Sequence, residues 1–133
     1  MRIKTAFTLM EILIVLVIMS ILATVTIPAY NKILQKARDR EAITNLRLIQ
    51  AAQRIYHQDT GFYYPPGATE SVVTNINNNL HLFLNNSRWD YSITGAAGTF
   101  NAEAIRRAPT DGYGNYWIDE NATTEPTCVG TCP

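Results

Sequence analysis

The fold is decided by an apolar stretch near the start of the chain, Phe7-Thr8-Leu9-Met10-Glu11-Ile12-Leu13-Ile14-Val15-Leu16-Val17-Ile18-Met19-Ser20-Ile21-Leu22-Ala23-Thr24-Val25-Thr26-Ile27-Pro28-Ala29. One residue in this stretch, Glu11, carries a formal charge. A helix needs about 20 mainly apolar residues to cross the hydrocarbon core of a bilayer. A lone span must be helical, because lipid offers no partners for backbone N–H and C=O groups. The stretch therefore predicts a membrane-spanning helix over residues 7–29.

The rest of the 133-residue chain is polar on average and has room for one modest domain. Charged residues make up 17% of the chain and hydrophobic residues 47%, and the hydrophobic ones are concentrated in the N-terminal stretch. Eleven basic and eleven acidic residues give a formal net charge of zero, so no nucleic-acid partner is expected. This composition excludes a plain soluble enzyme and a multi-span membrane protein.

Three interpretations of the apolar stretch compete: a signal peptide cleaved near Ala23 or Ala29, a plain membrane anchor, and a segment that assembles with other subunits. A carboxylate inside a span costs about 2.5 kcal/mol or more, so Glu11 needs a partner. No Lys or Arg follows Glu11 within the span. A cut between Ala6 and Phe7 would create an α-amine four residues before Glu11. In a helical assembly, that amine on one subunit could meet Glu11 of the next.

The sequence Ala6-Phe7-Thr8-Leu9-Met10-Glu11 resembles the prepilin processing motif of type IV pilins and type II secretion pseudopilins. The resemblance implies that a membrane prepilin peptidase removes leader residues 1–6 and that the new N-terminal Phe7 is N-methylated. It assigns Glu11 and Pro28 to assembly of a helical filament. Ala6 departs from the family pattern, which usually has Gly before the cut, although Ala is the next smallest residue.

The basic residues around the span disagree with the orientation that the resemblance implies. The leader contains Arg2 and Lys4, but more basic residues follow the span: Lys32, Lys36, Arg38 and Arg40. Cytoplasmic flanks normally carry the excess of Lys and Arg. We give the leader motif more weight, because Asp39 and Glu41 are interleaved with the later basic residues. The expected precursor is a single-pass inner-membrane protein whose head lies outside the cytoplasm.

Beyond the span the pattern predicts an α+β, pilin-like fold with one long helix from Phe7 to His57. Pro28 removes one hydrogen-bond donor and is expected to kink this helix or loosen one turn. The second half of the helix has a mainly apolar stripe at helical spacing, formed by Ala42, Leu46, Ile49, Gln53 and Tyr56. The predicted organisation is leader 1–6, membrane or filament-core helix 7–29, amphipathic half 30–58 and globular head 59–133.

Two alternating segments in the head, 89–94 and 99–104, predict an antiparallel hairpin around a turn at 95–98. Residues 116–119 form a candidate third strand. The Asn-rich segment 68–87 is expected to be a loop with a short helix. A helix stripe packed on three or four strands would give a small head a sufficient core.

Candidate chemical sites in the head are few. Cys128 and Cys132 are the only cysteines, and export to an oxidising compartment favours a small disulfide loop over a metal site with too few ligands. Asp111, Asp119 and Glu120 could bind Ca²⁺, as a loop does in some type II pseudopilins, but turn formation explains them better. His57 and His81 lack a nearby catalytic set. No enzyme activity, cofactor or metal is expected.

The interpretation favoured by the sequence is a structural subunit of a type IV pilus-like filament. Its partners would be identical subunits, the prepilin peptidase, the pilus or secretion assembly machinery and the membrane. It would end in an extracellular pilus. Two alternatives stay open: a periplasmic type II secretion pseudopilin, and a single-span anchor that presents a small binding head in the periplasm.

Overall fold

The computed structural model describes residues 7–107 and 114–130, except for the side chains of residues 25 and 28. Two helices and five strands are present, in the order α1 (Leu9–Thr60), β1 (Thr69–Glu70), α2 (Val73–Leu80), β2 (Trp89–Gly95), β3 (Phe100–Arg106), β4 (Asn115–Asp119) and β5 (Thr127–Val129). A long N-terminal helix followed by a small antiparallel sheet confirms the predicted α+β class. The chain divides into two compact units, with the boundary inside α1 between Lys36 and Ala37.

Helix α1 has nearly the predicted bounds and continues without a break through Pro28. It ends at Thr60, where Gly61 adopts a positive φ of 79° and donates its N–H to the carbonyl oxygen of His57 at 2.8 Å. A glycine in this left-handed conformation is a common helix stop, because it satisfies a terminal carbonyl without a Cβ clash. Gly61 therefore marks the end of α1.

The sheet is a meander in which the strands lie side by side in the order β1-β2-β3-β4-β5. All neighbouring strands are antiparallel. The predicted hairpin is confirmed, with Trp89 opposite Arg106 at its open end and Gly95 opposite Phe100 at its turn. The third strand, β4, is also confirmed. The short edge strands β1 and β5 were not predicted, because two or three residues show no alternation.

The core of the unit that begins at Ala37 lies between α1 and one face of the sheet. Four members of the predicted helix stripe are buried, namely Ala42, Leu46, Ile49 and Gln53, and Tyr56 is partly buried. Alternate residues of the hairpin complete the core from the sheet side: Trp89, Tyr91, Ile93, Phe100, Ala102 and Ala104. The strands thus present large side chains on β2 and mainly small ones on β3 beneath the helix.

Polar side chains of α1 fix the helix on this unit. Asn45 Nδ2 donates to the Tyr91 hydroxyl at 2.7 Å, and burial raises the pKa of Tyr91 above its usual value. Gln50 Nε2 donates to two carbonyl oxygens at and just after the end of β4, those of Asp119 at 2.9 Å and Ala122 at 2.8 Å. These contacts specify both the rotation of the helix and its position along the sheet.

The most enclosed of these polar contacts is made by Gln53, which is fully buried. Its Oε1 accepts the backbone N–H of Tyr64 at 2.8 Å, and its Nε2 donates to the carbonyl oxygen of the same residue. The amide therefore pairs with a backbone segment as a neighbouring strand would. It anchors the segment that leads from α1 into the sheet.

Replacing Gln53 with leucine is expected to lower the free energy of unfolding of this unit by about 2 kcal/mol or more. The substitution keeps the size of the side chain but leaves the Tyr64 N–H and C=O buried without their partner, at about 1–3 kcal/mol for each group. Urea unfolding of the full chain in detergent, followed by tryptophan fluorescence, measures the change. The matched control is Gln58→Leu, at an exposed position of the same helix, which is expected to change stability by less than about 0.5 kcal/mol. Equal effects would contradict the assigned role of Gln53.

Candidate functional site

The first part of α1 is apolar, and nothing in residues 7–107 and 114–130 covers its side chains up to Ile27. Every described side chain from Phe7 to Ile27 is exposed, and most are large and hydrophobic. The most apolar window of α1 has a mean hydropathy of 2.7, and by length and composition the helix can cross a membrane. A surface of this kind is stable only in lipid or against other apolar surfaces.

Glu11 lies in the first turn of α1 and contacts Thr8. Its Oε2 accepts the backbone N–H of Thr8 at 3.4 Å, and the Thr8 hydroxyl accepts the N–H of Glu11 at 3.2 Å. This reciprocal arrangement is a capping box, which satisfies two backbone donors at a helix start. Thr8 was missed in the sequence analysis, although Thr-x-x-Glu before an apolar run is the known signature of the box.

The cap leaves the charge of Glu11 without a cation. Among residues 7–107 and 114–130, Glu11 makes no salt bridge, and its side chain is exposed in the single chain. Phe7 is 78% exposed and lies directly before the cap. The predicted cleavage residue Ala6 lies outside the described residues, and Pro28 lies within α1. The geometry thus places a helix start, an exposed aromatic residue and an uncompensated carboxylate together.

The acidic residues interleaved with the later basic residues form ion pairs with arginines that lie far from them in the sequence. Asp39 is buried and forms an ion pair with Arg106, 67 positions away, and Glu41 pairs with Arg88 at 3.2 Å. In the part of the chain that the structure describes, the basic residues next to them in the sequence form no salt bridge: Lys32, Lys36, Arg38 and Arg40.

The two adjacent arginines at the end of β3, Arg106 and Arg107, do not form a basic patch. Arg106 is buried against Asp39, and its guanidinium carbon lies 4.8 Å from the centroid of the Trp89 ring. Arg107 pairs with Asp90 at 2.8 Å. The charges of both arginines are compensated within the chain, so neither is free to neutralise phosphate groups.

The remaining candidate residues of the head have local structural roles. The Asp119 carboxylate accepts the N–H of Asn121 at 3.0 Å, and Glu120 accepts the N–H of Phe100 at 3.0 Å. In residues 7–107 and 114–130, no three His, Cys, Asp or Glu side chains are grouped to hold a metal ion. The third Ca²⁺ candidate, Asp111, lies outside the described residues.

The candidate histidines do not lie in one site, and one of the two candidate cysteines lies within the described residues. The His57 ring stacks on Tyr63 with 4.3 Å between centroids, and His81 ends α2 in a left-handed conformation. Cys128 lies in β5, while Cys132 lies outside the described residues. The disulfide between Cys128 and Cys132 stays a prediction.

Comparison with known proteins identifies the N-terminal segment. Residues 1–27 match the model of the prokaryotic N-terminal methylation motif, which is the signature of type IV pilin and pseudopilin precursors. A search of curated protein sequences gave no significant match. The motif and the exposed apolar helix support a membrane-anchored precursor of the type IV pilin or pseudopilin kind.

Proposed function

We propose that the protein is a structural subunit of a type IV pilus-like filament. The single observation that carries this proposal is the methylation motif on the first part of α1, where every described side chain from Phe7 to Ile27 is exposed in the single chain. Lipid covers these residues in the precursor. In the assembled filament the same residues of neighbouring subunits cover one another, so the segment is never exposed to water.

The charges at the helix start support the same proposal. A prepilin peptidase cuts after Ala6, and the Phe7 amine, which becomes N-methylated, is the cation that Glu11 lacks. In the filament the amine of an incoming subunit pairs with Glu11 of its neighbour and sets the axial register. A buried ion pair contributes more to such register than to stability, because removing two charges from water is costly.

A type II secretion pseudopilin is the second candidate, because the methylation motif is common to both kinds of subunit. We favour the pilus because the carboxylates of Asp119 and Glu120 are already used by backbone N–H groups near the end of β4. Within residues 7–107 and 114–130, these two carboxylates are not joined by a third acidic ligand that could complete a calcium loop. In both cases the expected machinery is a filament assembly platform in the inner membrane, with the head outside the cytoplasm.

The N-terminal peptide of the protein purified from membranes of its own host tests the proposal by mass spectrometry. We expect a peptide that starts at Phe7 and carries one added methyl group, with at most a small fraction starting at Met1. A fully intact Met1 terminus would instead indicate a plain anchor. A terminus near Thr24 or Tyr30 would indicate a cleaved signal peptide and a soluble head, and would overturn the proposal.

A further inference from the structure

An isolated aromatic side chain projects from the head between α2 and β2. Phe83 is 101% exposed, whereas its neighbour Leu84 is buried. A fully hydrated phenylalanine makes no contribution to the core of its own chain. Aromatic anchors that are exposed in one subunit and enclosed by another dominate the energetics of many protein interfaces.

The exposure of Phe83 is imposed by the residues around it. The Asn77 side chain accepts the N–H of Leu84 at 2.9 Å and donates to the carbonyl oxygen of Leu84 at 3.0 Å. The N–H of Leu82 donates to the backbone carbonyl oxygen of Asn77 at 3.0 Å. Both sequence neighbours of Phe83 are therefore fixed on α2, and the ring is held outward. An anchor that is already ordered loses little conformational entropy when it binds.

An open cavity of about 440 Å³ lies elsewhere on the head, between α1 and the segment that joins β4 to β5. Its lining residues are Arg47, Gln50, Arg54, Ala122, Thr123 and Thr124. The two guanidinium groups are only loosely held within the chain. Arg47 lies 3.7 Å from the Glu125 carboxylate, and Arg54 donates to the carbonyl oxygen of Glu120 at 3.5 Å.

We propose that Phe83 of one subunit inserts into the Arg47–Arg54 cavity of a second copy of this chain. The complementarity is electrostatic as well as steric, because guanidinium groups are attracted to the negative face of an aromatic ring. The cavity also exceeds the roughly 300 Å³ at which pockets begin to enclose small molecules, so a benzyl group fits in it. This inference rests on the proposed function and specifies how neighbouring heads recognise each other.

The position of the two features predicts an open assembly. Phe83 comes before β2 in the chain, and β2 pairs with the edge strand β1. Residues 122–124 come before β5, which is the edge strand on the opposite side of the sheet. The cavity lining does not include Phe83. A contact between two different surfaces of identical subunits is heterologous and builds rings or helical filaments rather than closed two-fold dimers. A helical filament is also the assembly in the proposed function.

Substitution at Phe83 in the full-length protein tests the contact. We expect Phe83→Ala to lower the amount of filament sheared from cells at least tenfold. The midpoint of urea unfolding of the purified chain is expected to stay unchanged. The variant Phe83→Tyr is expected to give most of the wild-type filament yield. Ile105→Ala, at an exposed apolar position on the other face of β3, is the matched control and is expected to give a normal yield. A normal yield from Phe83→Ala, or an equal loss from Ile105→Ala, would overturn the inference.

Cross-linking identifies the occupant of the cavity and separates this inference from the proposed function. Phe83→Cys and Thr123→Cys chains, each produced with an excess of wild-type subunits, are expected to form a mixed disulfide dimer in filaments only when both are present. Wild-type filaments without that dimer would overturn the inference and leave the filament function standing. Absence of wild-type filaments would overturn the proposed function, and the inference with it. A dimer in which two Phe83→Cys positions are joined to each other, identified by mass spectrometry of the linked peptides, would indicate a two-fold contact and would also overturn the inference.

Discussion

Replacing Glu11 with alanine is expected to lower filament yield at least tenfold while the precursor still enters the membrane. The Phe7 amine of the incoming subunit would then be buried without its counter-ion, and an unpaired buried charge typically costs about 3–5 kcal/mol. Membrane insertion depends on the length and hydropathy of α1, which the substitution does not reduce. Quantifying sheared filaments beside membrane-bound precursor in the same cells measures both effects.

The capping box allows the charge of Glu11 to be separated from its hydrogen bonds. Glutamine is accepted at this position of a capping box, so Glu11→Gln keeps the contacts with Thr8 and removes the charge. We expect Glu11→Gln to fail in assembly as Glu11→Ala does. Normal filaments from Glu11→Gln would show that Glu11 acts through the helix cap, and would contradict the proposed ion pair with the Phe7 amine.

The longer helices and strands could be predicted because the hydrophobic pattern of each is complete within one continuous segment of the sequence. The apolar run and the stripe from Ala42 to Gln53 define α1, and strict alternation from Trp89 onward defines the hairpin. Strands β1 and β5 could not be predicted, because they are too short to show an alternating pattern. Each forms through its pairing with a longer neighbouring strand. The Thr8–Glu11 cap could have been predicted from its spacing.

The polar contacts that position α1 could not be predicted, because each joins residues distant in the sequence. Asp39 resembles any other surface acid until Arg106, 67 positions later, is placed beside it by β3. The cavity at Arg47 and Arg54 likewise exists only after the segment beyond β4 returns to α1. Long-range pairing of polar groups is set by the topology, and a single sequence contains no periodic signal for it.

The ion pair between Asp39 and Arg106 is expected to dominate the polar contribution to the stability of the head. Asp39 is 4% exposed and Arg106 is 8% exposed, and the guanidinium also lies over the Trp89 ring. Replacing Asp39 with alanine leaves a buried guanidinium without this carboxylate, which is expected to cost about 3–5 kcal/mol. Urea unfolding of the full chain in detergent measures this loss, and the fluorescence of Trp89 reports directly on the site.

Glu41→Ala is the matched control, because it breaks the Glu41–Arg88 pair, which also joins a carboxylate to a guanidinium but is more exposed to solvent. Arg88 and Glu41 side chains are 60% and 29% exposed, and such a pair is expected to contribute less than about 1 kcal/mol. The double substitution Asp39→Leu with Arg106→Met removes both buried charges and is expected to recover much of the loss caused by Asp39→Ala. Equal losses for Asp39→Ala and Glu41→Ala would contradict the importance of burial. A double variant as unstable as Asp39→Ala would show that packing, rather than the uncompensated charge, causes the loss.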